Sequence, residues 1–231
     1  MRYLQLDFIR GVAILLMVVF HLCFDLNNFN FIDIDIYHRV DRDWFYFRML
    51  ILTLFISCVG ISLALANEEK IDILNVVKRF IKLSFFSVLI TVVSYITFPQ
   101  TWIYFGVLHF ITVASVMALL FVRLEWITLS LGILIVALFN LDIINMYWLY
   151  EPLKEALYLP VRAEDLVPLT PWFGVVLIGI FIGKKRLFLF PLPSNKFTEF
   201  IGLLGKHSLA IYLLHQPLFF GIIAGADWIL H

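Results

Sequence analysis

Residues 6–26 read Leu6-Asp7-Phe8-Ile9-Arg10-Gly11-Val12-Ala13-Ile14-Leu15-Leu16-Met17-Val18-Val19-Phe20-His21-Leu22-Cys23-Phe24-Asp25-Leu26. About 20 mostly apolar residues suffice to cross a bilayer as a helix. This run has that length, yet it carries Asp7, Arg10, His21 and Asp25. It is longer than a signal-peptide core and has no small-residue cleavage site, so it is expected to be retained as a spanning helix.

The rest of the chain agrees with a membrane setting. Of 231 residues, 62% are hydrophobic and 15% charged, and the mean hydropathy is +0.97. Ordinary soluble domains carry roughly 25% charged residues. One soluble core of this size could not hide so much apolar surface. Disorder needs the opposite composition. The 17 basic and 17 acidic residues cancel. The basic excess of a nucleic-acid binder is therefore missing, and no nucleic-acid partner is expected. The reading is an all-α, polytopic integral membrane bundle, a single domain over 1–231 in contact with membrane lipids.

Six further spans follow the first, at about 44–66, 76–98, 103–122, 126–141, 171–183 and 208–228, giving about seven transmembrane helices. The third stops at Pro99 and turns quickly into the fourth. Pro171 suits the first turn of the sixth. Residues 142–170 hold Met146-Tyr147-Trp148-Leu149-Tyr150 and are read as a partly helical segment lying at the headgroup level. Cys23 and Cys58 fall inside apolar runs, so neither a structural disulfide nor a metal site is expected of them. No internal repeat is visible.

Seven spans put the termini on opposite faces. Eleven basic residues then share the N-terminal face: Arg2, Lys70, Lys78, Arg79, Lys82, Arg123, Lys184, Lys185, Arg186, Lys196 and Lys206. The other face holds Arg39, Arg42, Arg48, Lys154 and Arg162, with acids such as Asp33, Asp43, Glu151 and Asp165. The positive-inside rule places the N-terminus in the cytoplasm.

Ionisable groups inside spans are costly and point to function. His21 and Asp25 are four residues apart and share a helix face. A carboxylate one turn from an imidazole can fix its tautomer and stabilise its protonated form, as a general base or acyl-accepting nucleophile requires. Arg10 lies about 16 Å away along the same axis. His109, in Phe105-Gly106-Val107-Leu108-His109-Phe110, falls at about the depth of His21. His215 and Gln216 precede Pro217 near the middle of the last span, where the proline is expected to kink the helix. His38 and Asp165 belong to outer loops. Each histidine could instead be an ordinary interfacial or helix–helix contact. Walker, dinucleotide-binding, zincin and nucleophile-elbow motifs are absent, which argues against ATP hydrolysis.

Arg10, ten intervening residues and His21 on the first helix resemble the signature of the transmembrane acyltransferase superfamily. The fuller string resembles the bacterial membrane family related to the catalytic domain of heparan-alpha-glucosaminide N-acetyltransferase. The segments Phe105 to His109, Leu169-Thr170-Pro171-Trp172-Phe173-Gly174, and Gly205-Lys206-His207-Ser208-Leu209 through His215-Gln216-Pro217 are in the same style. The resemblance implies transfer of an acyl group, typically acetyl, from cytosolic acyl-CoA to an amine or hydroxyl on an outer-side sugar or other small polar acceptor. It implies acetyl-CoA as donor, no metal, and residence in a bacterial inner membrane, and it leaves homo-oligomerisation open. His21, Asp25, His38 and His109 become the catalytic candidates, with the reacting residue open between His21 and His38. Arg10, Asp7, Trp172, His215 and Gln216 become the candidates for binding substrate and acyl-CoA. Two other classes compete. One is a transporter or flippase for a lipid-linked or small polar ligand, for which a midplane kinked helix is common. The other is a haem carrier using His21, His109 or His215.

Overall fold

A computed structural model describes residues 3–34, 42–160 and 165–230. Among them the secondary structure is all helical. In chain order the helices are α1 (Leu4–Asn28), α2 (Arg42–Ala66), α3 (Ile73–Thr97), α4 (Val107–Ala118), α5 (Glu125–Asn140), α6 (Tyr147–Ala156), α7 (Leu169–Lys184), α8 (Lys196–Lys206) and α9 (Ser208–Leu230). Four of these, α1, α2, α3 and residues 208–226 of α9, are long and apolar enough to cross a membrane. Helices α4, α5 and α7 are apolar but have only 12, 16 and 16 residues.

The expected count of about seven transmembrane helices compares with four helices of spanning length and three shorter apolar ones, and the described residues form nine helices in all. The surface segment after α5 forms α6. Residues 196–206, to which the sequence reading assigns no element, form α8. The local signal for α8 was present: Asn195 caps it by accepting from the Thr198 amide at 2.9 Å, and the Thr198 hydroxyl accepts from the Asn195 amide in return. At 11 residues, α8 is only about 17 Å long, too short to register as a span.

The chain divides into two compact units, with the boundary inside α2. The first contains residues 1–58 and 188–231, and the second contains 59–187. In the first unit α8 lies along the early part of α1, in backbone contact. A Cβ placed on Gly11 would stand 1.9 Å from the Ile201 carbonyl oxygen, and one on Gly205 would stand 1.7 Å from that of Asp7. Only glycine allows this approach, the means by which apolar helices associate where lipid removes the hydrophobic drive. A core of Ile14, Met17 and Ile51 continues the packing, flanked by Phe20, Phe47, Leu204 and Ile211.

In the second unit α7 is apolar all round and its Val176, Leu177 and Ile180 are fully buried, as expected of a central helix. Gly132 of α5 and Gly174 of α7 face each other, each Cβ position lying under 3 Å from the other's carbonyl oxygen. The Thr170–Pro171 peptide is cis, and Thr170 is non-helical, so the continuous part of α7 starts at Pro171. Helix α3 shows the polarity of a lipid-facing element. Its buried positions include Ser87 and Ser94, whereas Ile81, Phe85 and Ile96 are exposed. A soluble helix would show the reverse distribution.

Helix α4 starts four residues later than the sequence suggests. The turn before it is fixed by α3: the Ile103 amide donates to Ser94 Oγ at 3.0 Å, and Thr91 Oγ1 donates to the Ile103 carbonyl at 2.8 Å. These bonds hold residue 103 outside the helix. At the other end of the unit, Glu125 pairs with Lys185, whose ammonium lies over the Trp126 ring, and Arg186 bonds Glu68 at 3.0 Å.

Candidate active site

The first unit brings four of the candidate residues together. Helix α1 carries His21 and Asp25 on one face, and α9 carries His215 and Gln216. The two imidazoles meet with ring centroids 4.9 Å apart and planes tilted by 58°. One turn further along α1, Gln216 Nε2 donates to Asp25 Oδ1 at 3.0 Å. Asp25 and His215 are only 3% and 7% exposed. Burying a carboxylate this deeply is costly unless it is hydrogen-bonded, and the Gln216 amide supplies such a bond.

That bond also orients Gln216. With its nitrogen donating to Asp25, Oε1 is left as an acceptor, and it is buried without a hydrogen-bond partner among the described residues. His21 Nδ1 and His215 Nε2 are in the same condition. Native proteins seldom leave such atoms orphaned, and a cluster of them marks a place that water or a ligand completes. Aromatic rings line it. Phe20 meets His21 edge-on at 5.6 Å, Phe219 meets His215 edge-on at 6.3 Å, and Trp44 and Phe47 of α2 pack on Phe20.

His215 is anchored to its own helix. Its Nδ1 lies 2.8 Å from the Tyr212 carbonyl oxygen and 3.1 Å from that of Ile211. Helix α9 continues past Pro217 to Leu230 as one helix. Pro217 lacks the amide that would bond the Leu213 carbonyl.

Asp7 and Arg10 sit near the start of α1, where α8 crosses. Arg10 Nη1 donates to Asp7 Oδ1 at 3.1 Å. Asp7 is buried and the arginine side chain about a quarter exposed. The two candidates for the acyl-CoA end thus pair with each other, one turn apart, with part of the guanidinium accessible.

His109 and Trp172 lie in the second unit. His109 Nδ1 accepts from the Gly106 amide at 3.2 Å, and its other nitrogen faces Thr91 Oγ1 at 3.0 Å. Since Thr91 spends its proton on the Ile103 carbonyl, His109 Nε2 donates to Thr91. Both ring nitrogens are committed to holding the α3–α4 turn. Asp165 Oδ2 accepts from the Val107 amide beside it, at 3.4 Å. Trp172 is buried in α7. The same unit contains a cavity of about 140 Å³ whose lining includes Asn67, Arg79, Thr112 and Ser115. His38 lies outside the described residues. Among the described residues no three His, Cys, Asp or Glu side chains are grouped to hold a metal ion.

The family model described as heparan-alpha-glucosaminide N-acetyltransferase, catalytic, matches residues 2–217. The chain belongs to this family. No curated protein and no solved structure matches it. The match runs from before Asp7 to just beyond Gln216, so it takes in the whole four-residue cluster, Arg10, His109 and Trp172. The heparan-alpha-glucosaminide N-acetyltransferase family suggests a membrane acetyltransferase type of activity. In related enzymes it implies acetyl-CoA as donor and a glycan as acceptor. The long apolar helices accord with an integral membrane protein.

The element that sequence reading missed at the site is the cross-helix bond. His21 and Asp25 look like a self-contained pair on one helix, yet His21 Nδ1 has no hydrogen-bond partner among the described residues while Asp25 accepts from Gln216. The signal for this is faint: a buried acid on one span, and an amide next to a histidine on another.

Proposed function

We propose that this protein transfers an acetyl group from cytosolic acetyl-CoA to an amine or hydroxyl of a sugar or other small polar acceptor across a bacterial inner membrane. The observation that carries this reading is the buried His21–His215 contact with its unpartnered nitrogens, inside a chain of an acetyltransferase family. In the reaction the acceptor's nitrogen or oxygen bonds to the acyl carbon, the carbon–sulfur bond breaks, and the acceptor's proton ends on the CoA thiol. His21 serves as the proton acceptor or carries the acyl group transiently. Asp25, through Gln216, positions the α9 side of the pair. Arg10, balanced by Asp7, meets an anionic part of CoA. His109 is assigned to holding the α3–α4 turn, since both its nitrogens are occupied, and Trp172 stays a substrate-binding candidate on the resemblance alone. The excess of basic residues on the N-terminal side supports a cytoplasmic N-terminus. It also supports donor entry at the Arg10 end of α1, with acceptor entry at the Asp25 end.

Purified full-length protein, incubated with radiolabelled acetyl-CoA and envelope glycans, should produce labelled glycan. Absence of CoA binding would instead favour the carrier reading. Asp25→Asn is expected to lower transfer by roughly 10²-fold, the low end for acid–base machinery, while CoA binding changes little. Equal losses of transfer and binding would mean that Asp25 serves folding.

A further inference from the structure

We propose that His215 accepts the proton from the attacking acceptor atom, at its Nε2. The proposal rests on the acyl-transfer reading and assigns His215 a step that the reading leaves to His21 alone.

The argument begins with the tautomer. Carbonyl oxygens only accept hydrogen bonds, and His215 Nδ1 faces two of them, on Tyr212 at 2.8 Å and Ile211 at 3.1 Å. Nδ1 therefore carries a hydrogen. In the neutral ring Nε2 then holds a lone pair. That lone pair is buried, has no hydrogen-bond partner among the described residues, and belongs to a residue only 7% exposed. Every property of a general base except the substrate is in place: a fixed tautomer, a fixed ring and an unused acceptor. His21 Nδ1 has no such anchor, as it lacks any hydrogen-bond partner among the described residues.

The same carbonyls serve the protonated state. When Nε2 gains a proton, the positive charge spreads to Nδ1–H, which already points at two backbone dipoles. Dipoles placed before charge develops need no reorganisation when it does. Gln216 Oε1, the neighbouring unpartnered acceptor, can receive a second hydrogen of the attacking group. The step balances. As the acceptor's nitrogen or oxygen bonds to the acyl carbon, its proton moves to His215 Nε2 and the carbon–sulfur bond breaks. The departing CoA thiolate then takes that proton as a thiol, and His215 returns to its neutral form.

The decisive variant is His215→Asn. An asparagine amide can keep a donor near the Ile211 and Tyr212 carbonyls while removing Nε2. In the full-length protein, kcat for acetyl transfer should fall roughly 10²–10⁴-fold with the KM for acetyl-CoA changed by less than about threefold, the pattern of an interaction made only in the transition state. His215→Gln, which removes the ring in another way, should show the same split. Nitrogen-15 labelling of the histidines supplies a readout independent of activity. The resonance lost in His215→Asn should report a hydrogen on Nδ1. A hydrogen on Nε2 alone would overturn the proposal, and so would retention of kcat in both variants of an active protein. If the wild-type protein transfers no acetyl group at all, the acyl-transfer reading falls first and the role of His215 with it. A normal wild type with unimpaired variants removes only the role of His215.

Discussion

Replacing His21 with alanine is expected to reduce acetyl transfer by at least about 10³-fold, within the range by which positioned acid–base groups accelerate proton transfer. The expectation follows from where the ring sits. His21 occupies the α1 side of the only imidazole–imidazole contact among the described residues, 4.9 Å from His215 between centroids. Its Nδ1 is buried and available to a reacting group. Loss of the ring removes a proton acceptor or acyl carrier and opens the space against Phe20. Helix α1 should survive, because alanine is the best helix former and the α1–α8 contact at Asp7 and Gly11 lies about three to four turns away. Binding of acetyl-CoA at the Arg10 end should therefore persist. A further test concerns His21 and His215 as a unit. If both act on the same proton and acyl carbon, the double variant His21→Ala/His215→Asn should be scarcely slower than either single one, as happens when one removal already disables a shared step. Single-turnover assays would show this. Transfer that persists in His21→Ala would remove His21 from the mechanism and return attention to His38.

The second large effect concerns folding. Gly205→Ala and Gly11→Ala each add one methyl group, a change that costs nothing intrinsic within a helix and should even favour it. Here the opposite is expected. The added carbon at 205 would lie 1.7 Å from the Asp7 carbonyl oxygen and 2.8 Å from the Gly11 amide nitrogen, and at 11 it would lie 1.9 Å from the Ile201 carbonyl oxygen. These neighbours are backbone atoms of two helices and cannot rotate aside, so α8 must move off α1. Overpacking typically costs 1–3 kcal/mol, and the melting temperature of a chain this size should fall by roughly 2–4 °C for each kcal/mol. Gly221→Ala and Gly225→Ala on α9 are the controls, since a Cβ at either meets nothing within 4 Å. Thermal melts in detergent should separate the two pairs clearly. Equal melting of Gly205→Ala and Gly221→Ala would show that α8 does not pack as described.

The four glycines also show where sequence reading reaches its limit. All are glycines in apolar or amphipathic helices, and nothing in the chain distinguishes 205 from 221. What separates them is the presence of a second backbone within touching distance, which is a property of helix packing. The same holds for the histidines. His109 and His215 both look like lone polar groups in apolar surroundings. His109 uses both nitrogens in hydrogen bonds, whereas His215 uses one and leaves the other bare. Composition carries no trace of that difference, because it arises from a turn bound to α3 in one case and from the meeting of α1 with α9 in the other.

The sequence by itself determined that the chain is helical and membrane-embedded, because apolar runs of about 20 residues admit few other structures when every backbone group must be satisfied internally. It also located the polar residues on α1 and in the first half of α9, since polar and ionisable groups are rare enough in such runs to stand out, and the resemblance of those strings pointed to the family. The tertiary structure alone decided the partners. Asp25 bonds Gln216 from a residue 191 positions away, and His21 meets His215 at a similar separation. The α1–α8 contact turns two glycines into fixed points, and α8 itself is too short and amphipathic to be recognised by the length rule that finds spans. Periodicity and hydropathy describe one helix at a time. A site built from two helices exists only once backbone packing has set their distance.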